Sequence, residues 1–194
     1  LKSSNLYFTP TIEGQTLIMR AATGNGGYFE QRYTLEDSTY LMDYDLRFEG
    51  LNSVLANNGA PIALQWDTYL DKIEKNSNYE STLSTMYFHE MDEGTDYCSC
   101  TSSDTEELDA EARLKWVAGS QQFFTSALIA DDGFAPGATL STEAYDLDTS
   151  EDLKKVSASL SIPVGGSNSE IVGMQLYVGP NEFDRLRAIG YEMS

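Results

Sequence analysis

Large apolar residues alternate strictly with other residues in the stretch 40–48. Successive side chains of a β-strand point to opposite faces, so a period of two places all of these apolar residues on one face. The pattern therefore predicts a half-buried strand of an antiparallel sheet. The same period recurs in the stretches 62–66 and 156–162 and predicts two further strands. The apolar residues of the first stretch are Tyr40, Met42, Tyr44, Leu46 and Phe48.

A second kind of apolar stretch lacks this alternation. Residues 114–129 contain Trp116 and an adjacent Phe-Phe pair at 123–124. We interpret them as a buried strand, a turn at Gly119-Ser120 and a second buried strand. The Trp and Phe side chains are then expected in the core, where they would stabilise the fold rather than form a site.

The period changes again near the C-terminus. Residues 171–178 are almost continuously apolar, which is typical of a central strand. Pro180 suits the first turn of a helix, and acidic residues follow it at what would be the positive helix end. The sequence therefore predicts a terminal helix over 180–194. Its apolar side would carry Phe183, Leu186 and Ile189.

The fold class follows from the number and spacing of these elements. We expect about eight to eleven short strands with frequent turns, and one short C-terminal helix. This is an all-β pattern of antiparallel sheets packed as a sandwich. With 194 residues and no internal repeat or linker, the chain is expected to form a single domain over 1–194.

The charge balance is strongly acidic. The chain has 31 acidic and 12 basic residues and a formal net charge of -19. Nucleic acid and an anionic membrane surface would both be repelled. A solvated surface and a partner with a basic face remain alternatives. Ten acidic residues fall between Glu80 and Glu111, where we expect a mobile acidic loop at about 90–111.

Candidate chemistry is sparse. Cys98 and Cys100 form a Cys-Ser-Cys pair, and with His89 as the sole histidine they do not complete a four-ligand metal site. We expect two exposed loop thiols that can oxidise. Residues 146–152 weakly resemble a calcium loop, with a solvated turn as the alternative. No catalytic residue, metal or cofactor is predicted, and no apolar run is long enough to span a membrane.

Three blocks of the sequence carry a resemblance. They are 28–51, 115–129 and 176–186, the last with the sequence LYVGPNEFDRL. In this order and spacing they resemble the periplasmic domain of the YidC membrane protein insertase. Within this family, the sequence is most similar to Bacteroidetes-type members.

This resemblance implies a β supersandwich of galactose mutarotase-like architecture. The domain would lie in the periplasm, attached to an inner membrane protein that inserts and folds membrane proteins, alone or with the Sec translocon. It would be non-catalytic. The first block normally lies well inside the domain, so N-terminal strands would be missing.

Partners implied by the resemblance are Sec translocon components and nascent membrane proteins. The terminal helix 180–194 would lead toward the absent membrane core and is the expected docking element. Its candidate contact residues are Pro180, Phe183 and Arg187. The alternative function is a carbohydrate-binding or mutarotase-like module, although a mutarotase-like enzyme needs an acid and a base and the chain has one histidine.

Overall fold

Antiparallel β-strands make up most of the structure, a computed structural model that describes residues 2–35, 37, 39–52, 55, 61–99 and 101–190. Two short α-helices, α1 (Ser77–Thr82) and α2 (Phe183–Ile189), and a 3-10 turn at Ser3–Asn5 complete the described part. The strands are β1 (Thr9–Glu13), β2 (Thr16–Ala22), β3 (Tyr28–Leu35), β4 (Leu41–Glu49), β5 (Ile62–Asp71), β6 (Thr85–Glu90), β7 (Gly94–Tyr97), β8 (Asp104–Glu107), β9 (Leu114–Ser120), β10 (Phe124–Ala130), β11 (Ala135–Ala144), β12 (Asp152–Ile162) and β13 (Ser169–Pro180).

The strands form two sheets. A nine-stranded sheet has the order β1-β2-β3-β4-β13-β10-β9-β6-β7, and a four-stranded sheet has the order β5-β12-β11-β8. The predicted central position of the 171–178 strand is confirmed, because β13 is the fifth of nine strands. The expected all-β class with antiparallel sheets and a short C-terminal helix is confirmed as well.

The main core lies between the two sheets. Tyr44, Leu46 and Phe48 of β4 are buried, as their alternation predicts. The alternating residues of β12 are 1% exposed or less at the same interface. A smaller apolar cluster, with Trp116 at its centre, lies on the opposite face of the nine-stranded sheet.

The sequence predicts a turn at Gly119-Ser120, but both residues belong to β9 and the turn follows them. A Cβ atom on Gly119 would lie 2.9 Å from Cγ2 of Val156 in the facing sheet. The glycine thus permits close packing of the two sheets, and it does not form the turn. The connection between β9 and β10 is made by residues 121–123.

The acidic segment is not one mobile loop, so that expectation was wrong. It contains β7 and β8, which lie at the edges of the larger and the smaller sheet respectively. Both strands are formed mainly by exposed residues and are paired through their backbones. Charged residues on an edge strand also discourage pairing with other chains.

Cys98 is buried, which corrects the expectation of two exposed thiols. Its side chain is 1% exposed, and its backbone N–H donates to the Met86 carbonyl at 3.0 Å. Burial, with the nearby Asp104 carboxylate, raises the pKa of the Cys98 thiol to about 12. Cys100 lies outside the described residues.

Helix α1 has no counterpart in the sequence prediction. Asn76 caps it, with its side-chain oxygen accepting from the Tyr79 N–H at 3.2 Å. The buried Lys154 ammonium donates to the carbonyls of Ser81 and Ser84, both at 2.7 Å. These contacts come from the capping residue and from a distant strand, and not from an apolar helix face. Across the described ranges, neither helix is long and apolar enough to cross a membrane.

Candidate docking site at the C-terminal helix

Helix α2 packs on the outer face of the nine-stranded sheet. Leu186, 7% exposed, and the half-buried Ile189 lie against the cluster that contains Trp116, Ala127 and Tyr177. These strand residues face away from the four-stranded sheet, so α2 covers a surface that would otherwise be open to solvent. The helix is thereby fixed to the centre of the sheet.

The helix begins at Phe183, three residues later than predicted. Pro180 is the last residue of β13 and pairs with Phe124 of β10. Its carbonyl accepts hydrogen bonds from the Tyr177 hydroxyl at 2.6 Å and the Glu182 N–H at 2.8 Å. Pro180 therefore belongs to the sheet and not to the helix. The expected helix over 180–194 is corrected to Phe183–Ile189 within the described residues. Residues 191–194 lie outside the described part.

Asn181 connects the sheet to the helix. Its backbone N–H donates to the Phe123 carbonyl at 2.8 Å, and its side-chain NH2 donates to the Gln121 carbonyl at 2.7 Å. Its side-chain oxygen accepts from the Thr125 hydroxyl at 2.5 Å. The Thr125 hydroxyl also lies 2.8 Å from the hydroxyl of Ser120. This network holds the β9–β10 connection, the end of β13 and the start of α2 together.

An aromatic contact fixes the other side of the helix. The Arg185 guanidinium lies 5.2 Å from the ring centroid of Tyr40, and the Tyr40 ring lies edge-on to Tyr177 at 6.5 Å. A hydrogen bond to the Glu182 carboxylate raises the pKa of Arg185. Burial raises the pKa of Tyr177, while the Arg185 charge opposes that rise. The Arg185 charge is therefore retained beside the aromatic rings.

A groove of about 370 Å³ runs beside α2. Its apolar lining includes Leu83, Tyr87 and Leu186, and its polar end includes Gln122 and Asn181. His89, which stacks on Trp116 with 5.9 Å between ring centroids and 17° between planes, is nearby on the same face. Its Nδ1 lies 3.0 Å from the Thr95 hydroxyl. The ring of the sole histidine is thus positioned by its contacts with Trp116 and Thr95.

The three predicted docking residues differ in accessibility. Pro180 is partly buried in the sheet, whereas Phe183 is 62% exposed and Arg187 is exposed on α2. The helical spacing places Phe183 on the same side of the helix as Leu186, but only Leu186 is buried. Phe183 is the first residue of α2.

The Phe-Phe pair also departs from the prediction. Phe123 and Phe124 are each 49% exposed, while Trp116 is 2% exposed. Trp116 is therefore a core residue as expected, although it packs under α2 and not between the sheets. The phenylalanines instead lie at the end of the sheet, beside the start of α2. A Phe-Phe pair in sequence gives no direct signal of exposure.

Residues 146–152, which weakly resemble a calcium loop, contact a lysine side chain through their backbone. The Lys72 ammonium donates to the carbonyls of Leu147 and Ser150, both at 2.5 Å. Two oxygens that could bind a cation therefore contact a protein cation. Among the described residues, no three His, Cys, Asp or Glu side chains converge in a way that could hold a metal ion.

Comparisons with known proteins agree with the resemblance seen in the sequence. The family model of the YidC periplasmic domain matches residues 3–194. The membrane protein insertase YidC of Parabacteroides distasonis is 30% identical over 191 residues, which cover 97% of this chain and 29% of that protein. YidC of Phocaeicola vulgatus is 28% identical over 185 residues, with 95% and 29% covered.

The relatives are much longer than this chain. YidC of Cytophaga hutchinsonii, 28% identical over 188 residues, is covered to 30% of its length. The chain thus spans about 30% of the length of the curated relatives it matches. Among solved structures, a galactose mutarotase related enzyme from Lactobacillus acidophilus matches with a TM-score of 0.41 and 6% identity, over 88% of this chain and 70% of that one.

Proposed function

Because the chain belongs to the family of YidC periplasmic domains, we propose that it serves an inner-membrane protein insertase as a periplasmic domain that assists insertion and folding of membrane proteins. The observation that carries this proposal is the family match over residues 3–194. The same match confirms that the chain is not an enzyme, because the family is a non-catalytic domain. The insertion activity itself belongs to the whole protein.

Within that role, we infer that α2 is a docking element for Sec translocon components or nascent membrane proteins. Phe183 and Arg187 present an aromatic ring and a positive charge to solvent. Aromatic and arginine side chains are enriched at the energetic centres of protein interfaces. The Asn181 network and Leu186 fix the helix to the sheet, so these two groups occupy defined positions before a partner binds. Such preorganisation lowers the entropic cost of association.

The groove beside α2 supports the same inference. Its volume of about 370 Å³ is at the lower end of ligand-site volumes, so it suits one or two side chains of a partner. Tyr87 and Leu186 offer apolar contact, and Gln122 and Asn181 offer hydrogen-bonding groups. A partner that contacts Phe183 could therefore place a side chain in the groove.

The carbohydrate-binding alternative is not favoured. Sugar-binding sandwiches use exposed aromatic rings as stacking platforms, and Trp116 is 2% exposed beneath α2. Trp66 packs partly buried against the main core. The family match also points to an insertase domain. Neither tryptophan therefore provides the open ring that this alternative requires.

Photo-crosslinking in the intact insertase tests the docking proposal. A photoreactive residue at Phe183 or Arg187 is expected to form adducts with Sec components or with a translocating membrane protein. Ile12 serves as the matched control, because it is 76% exposed on β1, at the far edge of the same sheet. Equal adduct yields at Phe183 and Ile12, or no protein adducts at Phe183 and Arg187, would refute docking at α2.

A further inference from the structure

Three of the four edge strands of the two sheets are protected against pairing with another chain. The edge strands are β1 and β7 in the larger sheet and β5 and β8 in the smaller one. β7 and β8 have only four residues each and carry acidic side chains. β1 has five residues and includes Pro10 and Glu13. Short length, charge and proline all discourage the addition of a further strand.

The fourth edge strand, β5, has none of this protection on its inner face. It has ten residues, and it contains no proline, lysine or arginine. Its pairing with β12 is regular from Ile62 to Leu70, and among the described residues its backbone in this range forms no hydrogen bond with another strand. Its acidic side chains, Asp67 and Asp71, alternate with the inward-facing residues, and Asp67 is paired with Lys155 at 3.3 Å. The second edge of β5 thus offers a row of alternate N–H and C=O groups about 30 Å long.

The inward-facing side chains of β5 are incompletely covered. Leu64 and Trp66 are only partly buried against the main core. Their cross-strand partners in β12, Leu160 and Ala158, are 1% exposed or less. The burial of the core therefore falls off within one strand spacing. A further strand beside β5, with apolar residues at alternate positions, would complete the cover of these two side chains.

The larger sheet provides an uncovered apolar floor on the same side. β8 follows β7 through a short connection, so β5 is the edge of the smaller sheet that is turned toward β1. On the inner face of the larger sheet, one row of cross-strand partners runs from β13 to β1. Exposure rises along this row from 1% and 8% in its first two residues to 37% and 76% in its last two. The row consists of Met174, Tyr44, Tyr33, Leu17 and Ile12.

We propose that the free edge of β5 binds an extended segment of another polypeptide as an added strand, with apolar residues at alternate positions and no net negative charge. The edge itself selects this occupant, because only a second extended backbone can pair with a row of alternate N–H and C=O groups. A second copy of the chain is a poor occupant, because each copy carries a net charge of -19. The inference rests on the proposed function only for the source of the segment, which would be a membrane protein during insertion.

Amide hydrogen exchange of the full chain, followed by NMR, tests the added strand. The probe is a short peptide of alternating valine and threonine with a lysine at each end. At ten times its dissociation constant, the peptide should slow exchange of alternate amides in Ile62–Asp71 about tenfold. The amides of the edge strand Thr9–Glu13 serve as the internal control and should not change. A peptide with the same side chains and N-methylated amides should give no protection, because it cannot form the ladder.

Three results would overturn the proposal: no protection in β5, equal protection by the N-methylated peptide, or a dimer of the chain that pairs through β5. Leu64→Lys places a charge on the inward face of the edge and should abolish the protection. The N-methylated peptide keeps the test decisive if that variant does not fold. If β5 gains no protection while Phe183 and Arg187 still crosslink to partners, the added strand is refuted and the proposed function stands. If β5 gains protection and those crosslinks are absent, docking at α2 is refuted and the strand site stands.

Discussion

The hydroxyl of Thr125 donates to the side-chain oxygen of Asn181 across 2.5 Å, which joins β10 to the residue that connects β13 with α2. Asn181 uses its backbone and both ends of its side chain in this junction. The hydrogen bonds of this one polar residue thus join the end of β13 and the start of α2 to the β9–β10 connection.

Asn181→Ala should therefore weaken the junction. The Thr125 hydroxyl and the Gln121 carbonyl would lose a partner in a partly buried place, which costs about 1–3 kcal/mol. We expect a lower urea midpoint and faster amide exchange in α2. Asn5→Ala is the control, because Asn5 is exposed in the 3-10 turn and should change stability by less than about 0.5 kcal/mol. Unchanged exchange in α2 would show that apolar packing alone holds the helix.

Gly119→Ala should destabilise the sandwich. The new methyl group would lie 2.9 Å from Cγ2 of the fully buried Val156, and overpacking of this kind costs about 1–3 kcal/mol. Combining it with Val156→Ala should restore part of that loss, a non-additivity that chemical denaturation can measure. Gly24→Ala, where no atom lies within 4 Å, is the control. Additive effects of the two substitutions would place the strain elsewhere.

Cys98 should resist alkylation in the folded chain. Its pKa of about 12, against an ordinary value of 9.0, reduces the reactive thiolate about a thousand-fold near neutral pH. In a Cys100→Ser variant, iodoacetamide should label Cys98 slowly in buffer and rapidly in urea. The raised pKa also predicts stability that is present below pH 9 and is lost as the pH rises toward 12. Fast labelling under native conditions would contradict burial of the thiol.

A pair of carboxylates should make stability depend on pH. Asp152 and Asp71 are direct cross-strand partners at one end of the four-stranded sheet. A hydrogen bond with Asp71 raises the pKa of Asp152, followed by desolvation and by the charges of Asp71 and Glu151. A raised folded pKa means that the contribution to stability is present at low pH and is lost as the pH rises.

Asp152→Asn should accordingly raise the melting temperature at neutral pH and have little effect in acid, where the raised pKa leaves the Asp152 carboxyl protonated. Asp148→Asn serves as the control, because Asp148 is exposed in the connection before β12 and its substitution removes the same charge outside the Asp152–Asp71 pair. The measurement is the melting temperature of each variant and of the wild-type chain from acidic to neutral pH. An equal gain from both substitutions would attribute the effect to the net charge of -19.

The sequence predicts best the elements whose signal is local. The alternation in β4 and β12 identifies buried faces, and the continuous apolar run in β13 identifies a central strand. In these strands the side-chain pattern and the burial have the same period. The family resemblance was also visible in short blocks of sequence and is confirmed by the family match.

What the sequence could not predict depends on distant neighbours. Gly119 reads as a turn residue, yet Val156 of the other sheet explains its presence inside a strand. The acidic strand β8 has no apolar face, and it exists because β11 offers a backbone edge to pair with. Helix α1 likewise depends on Lys154, seventy-odd positions away. The groove and the Asn181 network arise only when β6, β9, β13 and α2 meet.

The two residues Phe183 and Leu186 separate docking from packing in α2. Phe183 is 62% exposed, so Phe183→Ser should change the free energy of unfolding by less than about 0.5 kcal/mol. Leu186 is 7% exposed, and Leu186→Ala should cost about 2–5 kcal/mol. If α2 is a docking element, both substitutions in the full-length insertase should reduce membrane protein insertion, Phe183→Ser without loss of the folded domain. If α2 only stabilises the fold, Phe183→Ser should support normal insertion and Leu186→Ala alone should fail.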